Sequence, residues 1–108
     1  IIQLAMDLDN GAFYFGKNGT YLNSGDPTSG ASKTGAVDFS ATSLFGKQLT
    51  FAIGKGASGT DGWNANFGNG YFEVAAVSSA GTNASGNGIF EYDVPTGYTA
   101  LSTKGLNL

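Results

Sequence analysis

The stretch Ile2-Gln3-Leu4-Ala5-Met6-Asp7-Leu8-Asp9-Asn10-Gly11, followed at once by Phe13-Tyr14-Phe15, decides the fold class. Ile2, Leu4, Met6 and Leu8 recur at every second position, while Ala5, Asp7 and Asp9 point the other way. Successive side chains of an extended chain lie on opposite faces, so this period marks a half-buried strand. Asn10-Gly11 then stands between two such runs. Both residues tolerate the positive φ of a tight turn, and the pair is a strong sign of a hairpin. A second pair, Asn18-Gly19, leads into Tyr21-Leu22. Three short strands joined by two tight turns make a meander.

Outward from this meander the pattern stays two-faced. Residues 23–35 hold Ser, Gly, Asp, Pro, Thr, Ala and Lys with almost nothing to bury, which predicts a long surface loop. Residues 36–45 form a short extended or turn segment carrying Val37, Phe39, Leu44 and Phe45. Leu49, Phe51 and Ile53 alternate against Thr50 and Ala52 and predict a strand, as do Trp63, Ala65 and Phe67 beyond the Gly/Ser loop 54–62. Residues 71–77 and 89–92 read as strands on either side of a third loop, 78–88. Val94-Pro95 closes the later one, because proline donates nothing to a ladder. Residues 98–101 fit a last short edge strand. No heptad, helical period or internal repeat interrupts this, so the expectation is an all-β, antiparallel chain forming one domain segment over 1–108.

Composition narrows the function. A chain of 108 residues is one domain at most. It has no cysteine and no histidine, which removes disulfides, thiolate chemistry, the usual general base and the commonest zinc ligand. The net charge is -3, with five scattered lysines and no arginine, so nucleic acid is not an expected partner. Apolar runs fall far short of a bilayer span, and no signal-peptide pattern is visible; no membrane partner is expected. Charged residues are only 12%, but 41% hydrophobic and 13% aromatic content is enough to pack a core.

Several motifs suggest chemistry on first sight. Asp7, Asp9 and Asn10 resemble the start of a calcium loop, but glycine and the closing ligand fall at the wrong positions. Asp7 and Asp9, about 7 Å apart on one strand face, have a spacing compatible with a glycosidase pair. Glu73 and Glu91 sit on separate late strands that could bring them together. Asp7 and Asp9 lie at a solvent-facing hairpin end without the third polar partner that separates two carboxyl pKa values, and no enzyme activity is expected. Gly54-Lys55-Gly56 and Gly68-Asn69-Gly70 lack the spacing of a phosphate cradle and read as turns. Asn18-Gly19-Thr20 and Asn83-Ala84-Ser85 match the short glycosylation sequon. No metal or cofactor is expected.

The aromatic residues carry the binding expectation. Phe13, Phe15, Phe51 and Phe67 fall on apolar faces and are expected in the core. Tyr14, Tyr21, Trp63 and Tyr71 lie near loops or on opposite faces. With Asp26 and Asn64 they are the candidate ligand residues, since sugars stack on exposed rings while nearby polar groups bond their hydroxyls. For Trp63 a plug of the sandwich core is the favoured reading over a ligand role.

The order of segments resembles one known family. Met6-Asp7-Leu8-Asp9-Asn10-Gly11, Phe13-Tyr14-Phe15 and Lys17-Asn18-Gly19 look like the hairpin of SPRY domains. Asn66-Phe67-Gly68 resembles that family's strand end, and residues 92–103, with Pro95-Thr96-Gly97-Tyr98-Thr99-Ala100-Leu101, resemble its closing segment. The Ala/Gly/Asn/Ser-rich insertion between Phe72 and Phe90 and the loop Gly25–Gly30 are similar to the variant of bacteriophage virion proteins. The resemblance implies a concanavalin-like antiparallel β-sandwich and a non-catalytic role in binding or assembly, in a tail fibre or capsid decoration. The partners it implies are other virion proteins, in a homo-oligomer or with the missing sandwich half supplied, and a host surface glycan is a second candidate. The family's pattern carries roughly as much chain again before the first strand here. The chain is therefore expected to be the C-terminal part of a longer protein, with the Ile2/Leu4/Met6/Leu8 face partly uncovered.

Overall fold

A computed structural model describes residues 1–54, 56, 62–81 and 86–101. Its centre is the expected meander. Strand β1 (Ile2–Asp7) pairs antiparallel with β2 (Ala12–Lys17), with Leu4 opposite Phe15 and Ala5 opposite Tyr14. β2 pairs on its other edge with β3 (Thr20–Tyr21) and, further along, with β4 (Val37–Asp38). A second small sheet is the hairpin of β5 (Tyr71–Phe72) and β6 (Ala75–Ala76). The described chain is strand-rich and antiparallel, and its two sheets do not close on one another.

The two Asn-Gly corners differ. Lys17 lies opposite Thr20, leaving Asn18 and Gly19 as a two-residue turn with φ of 49° and 87°. Both angles are positive, as a type I′ turn demands. At the first corner Asp7 lies opposite Ala12, so the loop holds Leu8 to Gly11 rather than Asn10-Gly11 alone. The Asp7 carboxylate accepts from the Asn10 backbone N–H (3.0 Å) and from Asn10 Nδ2 (2.8 Å), which draws the chain into a wider bend. Gly11 completes it at φ 71°, where a Cβ would meet Ser40 at 2.8 Å.

The face that packs is the small-residue face. Ala5, Ala12 and Tyr14 are buried, and Gly16 continues the row. Small side chains let a covering segment approach closely, and residues 23–35 do so. The expected surface loop is present, mostly exposed, and carries two 3₁₀ turns, Leu22–Ser24 and Pro27–Ser32, laid against the sheet with Pro27 buried. Asp26 caps the second turn, its Oδ1 accepting from Thr28 N (2.8 Å) and Thr28 Oγ1 (2.6 Å). The Asp26 N–H donates to the Thr34 carbonyl (3.0 Å) and closes the loop at its base. Tyr98, far along the chain, donates its hydroxyl to the Pro27 carbonyl (2.9 Å) and ties the C-terminal segment to this cover.

Several expected strands are absent among the described residues. Residues 49–53 and 63–67 join no sheet, and residues 98–101 form none. Residues 71–77 are not one strand but a hairpin turning at Glu73, which has φ 60°. Of residues 89–92 only Ile89 pairs, in a single parallel bridge to Asn69. The physical reason is common to all: alternation makes a segment two-faced, but a strand exists only where a neighbour completes its ladder. Accordingly Phe15, Phe51 and Phe67, expected in the core, are 43%, 52% and 46% exposed. Phe13 does pack, stacked on buried Phe39 at a centroid distance of 4.5 Å. Gly68 and Gly88 close a small contact near residue 100, where a Cβ on either would come within 3.0 and 2.9 Å of the Ala100 Cβ.

Candidate functional site

The opposite face of the β1–β2 hairpin carries Ile2, Leu4, Met6 and Phe15, because strand residues two apart share a face. Residues Ile2 to Met6 of β1, from both faces, line an open cleft of about 650 Å³ together with Phe15 and Tyr21. The other walls come from residues 51–54, 63–67 and 90–95, with Tyr98, Thr99 and Leu101. Ile2, Phe51 and Trp63 are each more than half exposed there, and Phe51 meets Phe67 edge-on at 6.0 Å. Apolar side chains thus dominate the walls of the cleft.

Polar groups in the cleft are few and mostly engaged. The Asn66 carboxamide accepts from the Gly68 N–H (2.7 Å) and donates to the Ile89 carbonyl (3.0 Å), holding the wall in shape. Glu91 accepts from the Ser78 N–H (2.7 Å) and from the Ser78 hydroxyl. These bonds favour the ionised carboxylate and hold the Glu91 carboxyl below its ordinary range. A general acid needs the opposite shift. Glu73 sits in the β5–β6 turn and does not line the cleft, so the structure does not set the Glu73/Glu91 pair around it. Among the described residues no group of three or more carboxylates could hold a metal ion.

The six candidate ligand residues separate. Tyr21, Trp63 and Asn64 line the cleft together. Tyr21 is half-buried, and burial pushes its hydroxyl pKa up. Trp63 is 56% exposed, which removes the expectation of a core plug. Tyr14 is a correction: it is 1% exposed beneath the loop carrying Ser29, with its hydroxyl 3.3 Å from Ser29 Oγ, and cannot meet a ligand. Asp26 is spent on its cap, and the Thr28 bonds hold its carboxyl low. Tyr71, on β5, is exposed but outside the cleft. Phe51 and Ile53 are cleft residues that sequence reasoning placed on a strand. Their alternation was legible, whereas the missing partner that leaves them bare was not.

Two further expectations fall partly or wholly outside the described residues. The Asn83-Ala84-Ser85 sequon lies there entirely, as does most of the loop 54–62. Among the described residues no helix is long and apolar enough to cross a membrane. No protein-family model, no curated protein and no solved structure matches this chain.

Proposed function

We propose that this chain is a non-catalytic binding and assembly segment of a virion protein, a phage tail fibre or capsid decoration, built on part of a SPRY-like β-sandwich. One observation carries the reading: an antiparallel hairpin packs its small-residue face under its own loop and leaves Ile2 and Phe15 exposed and Leu4 and Met6 half-buried along a cleft with exposed aromatic walls. Bare apolar surface of that extent costs solubility unless something covers it, and further strands laid over Ile2, Leu4 and Met6 would complete a sandwich. The carboxylates support a binding role over catalysis, since Asp7, Asp26 and Glu91 are all committed to local hydrogen bonds. An antibody raised against the 108-residue chain is expected to label purified phage particles from the source, and failure to label them removes the virion assignment.

A second reading has its own observation. Trp63 presents an exposed ring beside Asn64 on the cleft wall, an arrangement that suits stacking of a sugar ring with a carboxamide at its hydroxyls. A glycan array decides between them. Specific sugar binding lost in Trp63→Ala favours a carbohydrate-binding module, and a blank array with the native chain disposes of it.

A further inference from the structure

The outer edge of β1 is unpaired, and the direction of its peptide groups follows from register. Residues that flank a two-residue hairpin turn exchange hydrogen bonds, so Lys17 and Thr20 face each other and Lys17 turns its peptide groups toward β3. The parity then alternates. Gly16, Tyr14 and Ala12 face β1, and opposite them Gln3, Ala5 and Asp7 face β2. The Asn18 N–H to Ile1 carbonyl bond (3.0 Å) and the Phe39 N–H to Gly11 carbonyl bond (2.8 Å) obey the same parity. Ile2, Leu4 and Met6 therefore turn their N–H and C=O groups away from the sheet. Among the described residues no backbone hydrogen bond reaches them.

We propose that this edge pairs with the β1 edge of a second copy of the chain, antiparallel, about a two-fold axis at Leu4. The inference rests on the reading of the chain as an assembly segment and names the surface and the partner. Three features select it. Residues 2–6 contain no charge and no proline, the devices that usually protect an edge. The stretch is self-complementary about Leu4: Leu4 meets Leu4, Ile2 meets Met6 and Gln3 meets Ala5, so outward peptide groups meet outward ones and apolar side chains share one face. Charge chooses the register. Parallel in-register pairing sets Asp7 against Asp7, and an axis at Met6 brings the two Asp7 carboxylates onto neighbouring diagonal positions. The axis at Leu4 separates them by six residues, about 20 Å.

Sedimentation of the purified 108-residue chain from micromolar to millimolar concentration tests this. The expected result is a doubling of mass with concentration, abolished in Leu4→Pro and Leu4→Lys. The proline removes an outward N–H and leaves the β1–β2 ladder intact. Hydrogen exchange on the unaltered chain needs no variant: the Leu4 and Met6 amides gain protection as the dimer forms, while the Ala5 amide is protected throughout. A constant single-chain mass overturns the pairing, as does a dimer that survives both substitutions. Leu4 and Met6 exchange rates that are independent of concentration also overturn it. A chain that stays monomeric yet labels phage particles refutes the self-pairing alone.

Discussion

Tyr14 is the largest side chain wholly withdrawn from solvent among the described residues, and its neighbours Ala5 and Ala12 are small enough to let loop 26–34 seat above it. Its ring supplies the apolar area and its hydroxyl needs a partner, which Ser29 provides. Tyr14→Phe is expected to lower unfolding free energy by about 1 kcal/mol and Tyr14→Ala by about 3–5 kcal/mol, read from urea melts. Asp38 shows how charge acts at the same scale. The Lys33 ammonium bonded to it, together with Ser40, lowers its carboxyl pKa to about 2. A depressed folded pKa contributes stability that is present above the unfolded carboxylate pKa and is lost as pH falls from there toward about 2. Melting temperature measured across that window is expected to drop more steeply in the native chain than in Asp38→Asn. An equal slope in both would show that the Lys33 bridge contributes nothing to acid sensitivity.

At the scale of the element, turns set the register that everything else inherits. Gly19 holds φ 87° and faces the Tyr92 ring, to which a Cβ would come within 3.0 Å. Gly35 holds φ 68°, and a Cβ there would strike the Asn23 carbonyl and the Gly25 backbone. Both positions combine left-handed backbone with a close neighbour, so alanine strains either one. The Gly35 contact is with backbone, which cannot swing aside. Gly35→Ala is therefore expected to cost clearly more than the roughly 1 kcal/mol typical of an exposed left-handed glycine, and more than Gly19→Ala, in paired thermal melts. Much of the meander was readable for this reason: Asn18-Gly19 encodes its own geometry in two residues. Residues 49–53 and 63–67 alternate just as cleanly, yet they find no ladder among the described residues, since pairing is a property of two segments and alternation of one.

For the whole molecule the governing feature is that one face of the hairpin is covered along its length and the other only at its Phe13 end. The covered face is held at two distant points of the chain, by Asp26 to Thr34 within the loop and by Tyr98 to Pro27 across 71 residues. Burial, and then the Asp7 charge, push the Tyr98 hydroxyl pKa up to about 12. Along β1 runs a cleft of about 650 Å³ with exposed aromatic walls. A dye that fluoresces on apolar surface, such as ANS, is expected to bind the native chain at neutral pH while thermal unfolding stays cooperative. Phe51→Ser is expected to reduce that fluorescence at little cost in stability, because the ring is already 52% exposed. Unchanged fluorescence would place the dye somewhere other than the cleft.

By itself the sequence determined the antiparallel meander, its second turn and the absence of cysteine and histidine chemistry, because period-two patterning and turn preference are local properties of the chain. Which face would be covered was a tertiary decision. Alternation set Ile2, Leu4 and Met6 on an apolar face expected to be partly uncovered, and the loop carrying Pro27 and Ser29 packs on the other face, on Ala5, Ala12 and Tyr14, where small side chains admit it. The same decision moved Tyr14 from candidate ligand residue to core and set Trp63 on the rim of the cleft. Close packing depends on the shape of two surfaces brought together from distant parts of the chain, and no single segment records it.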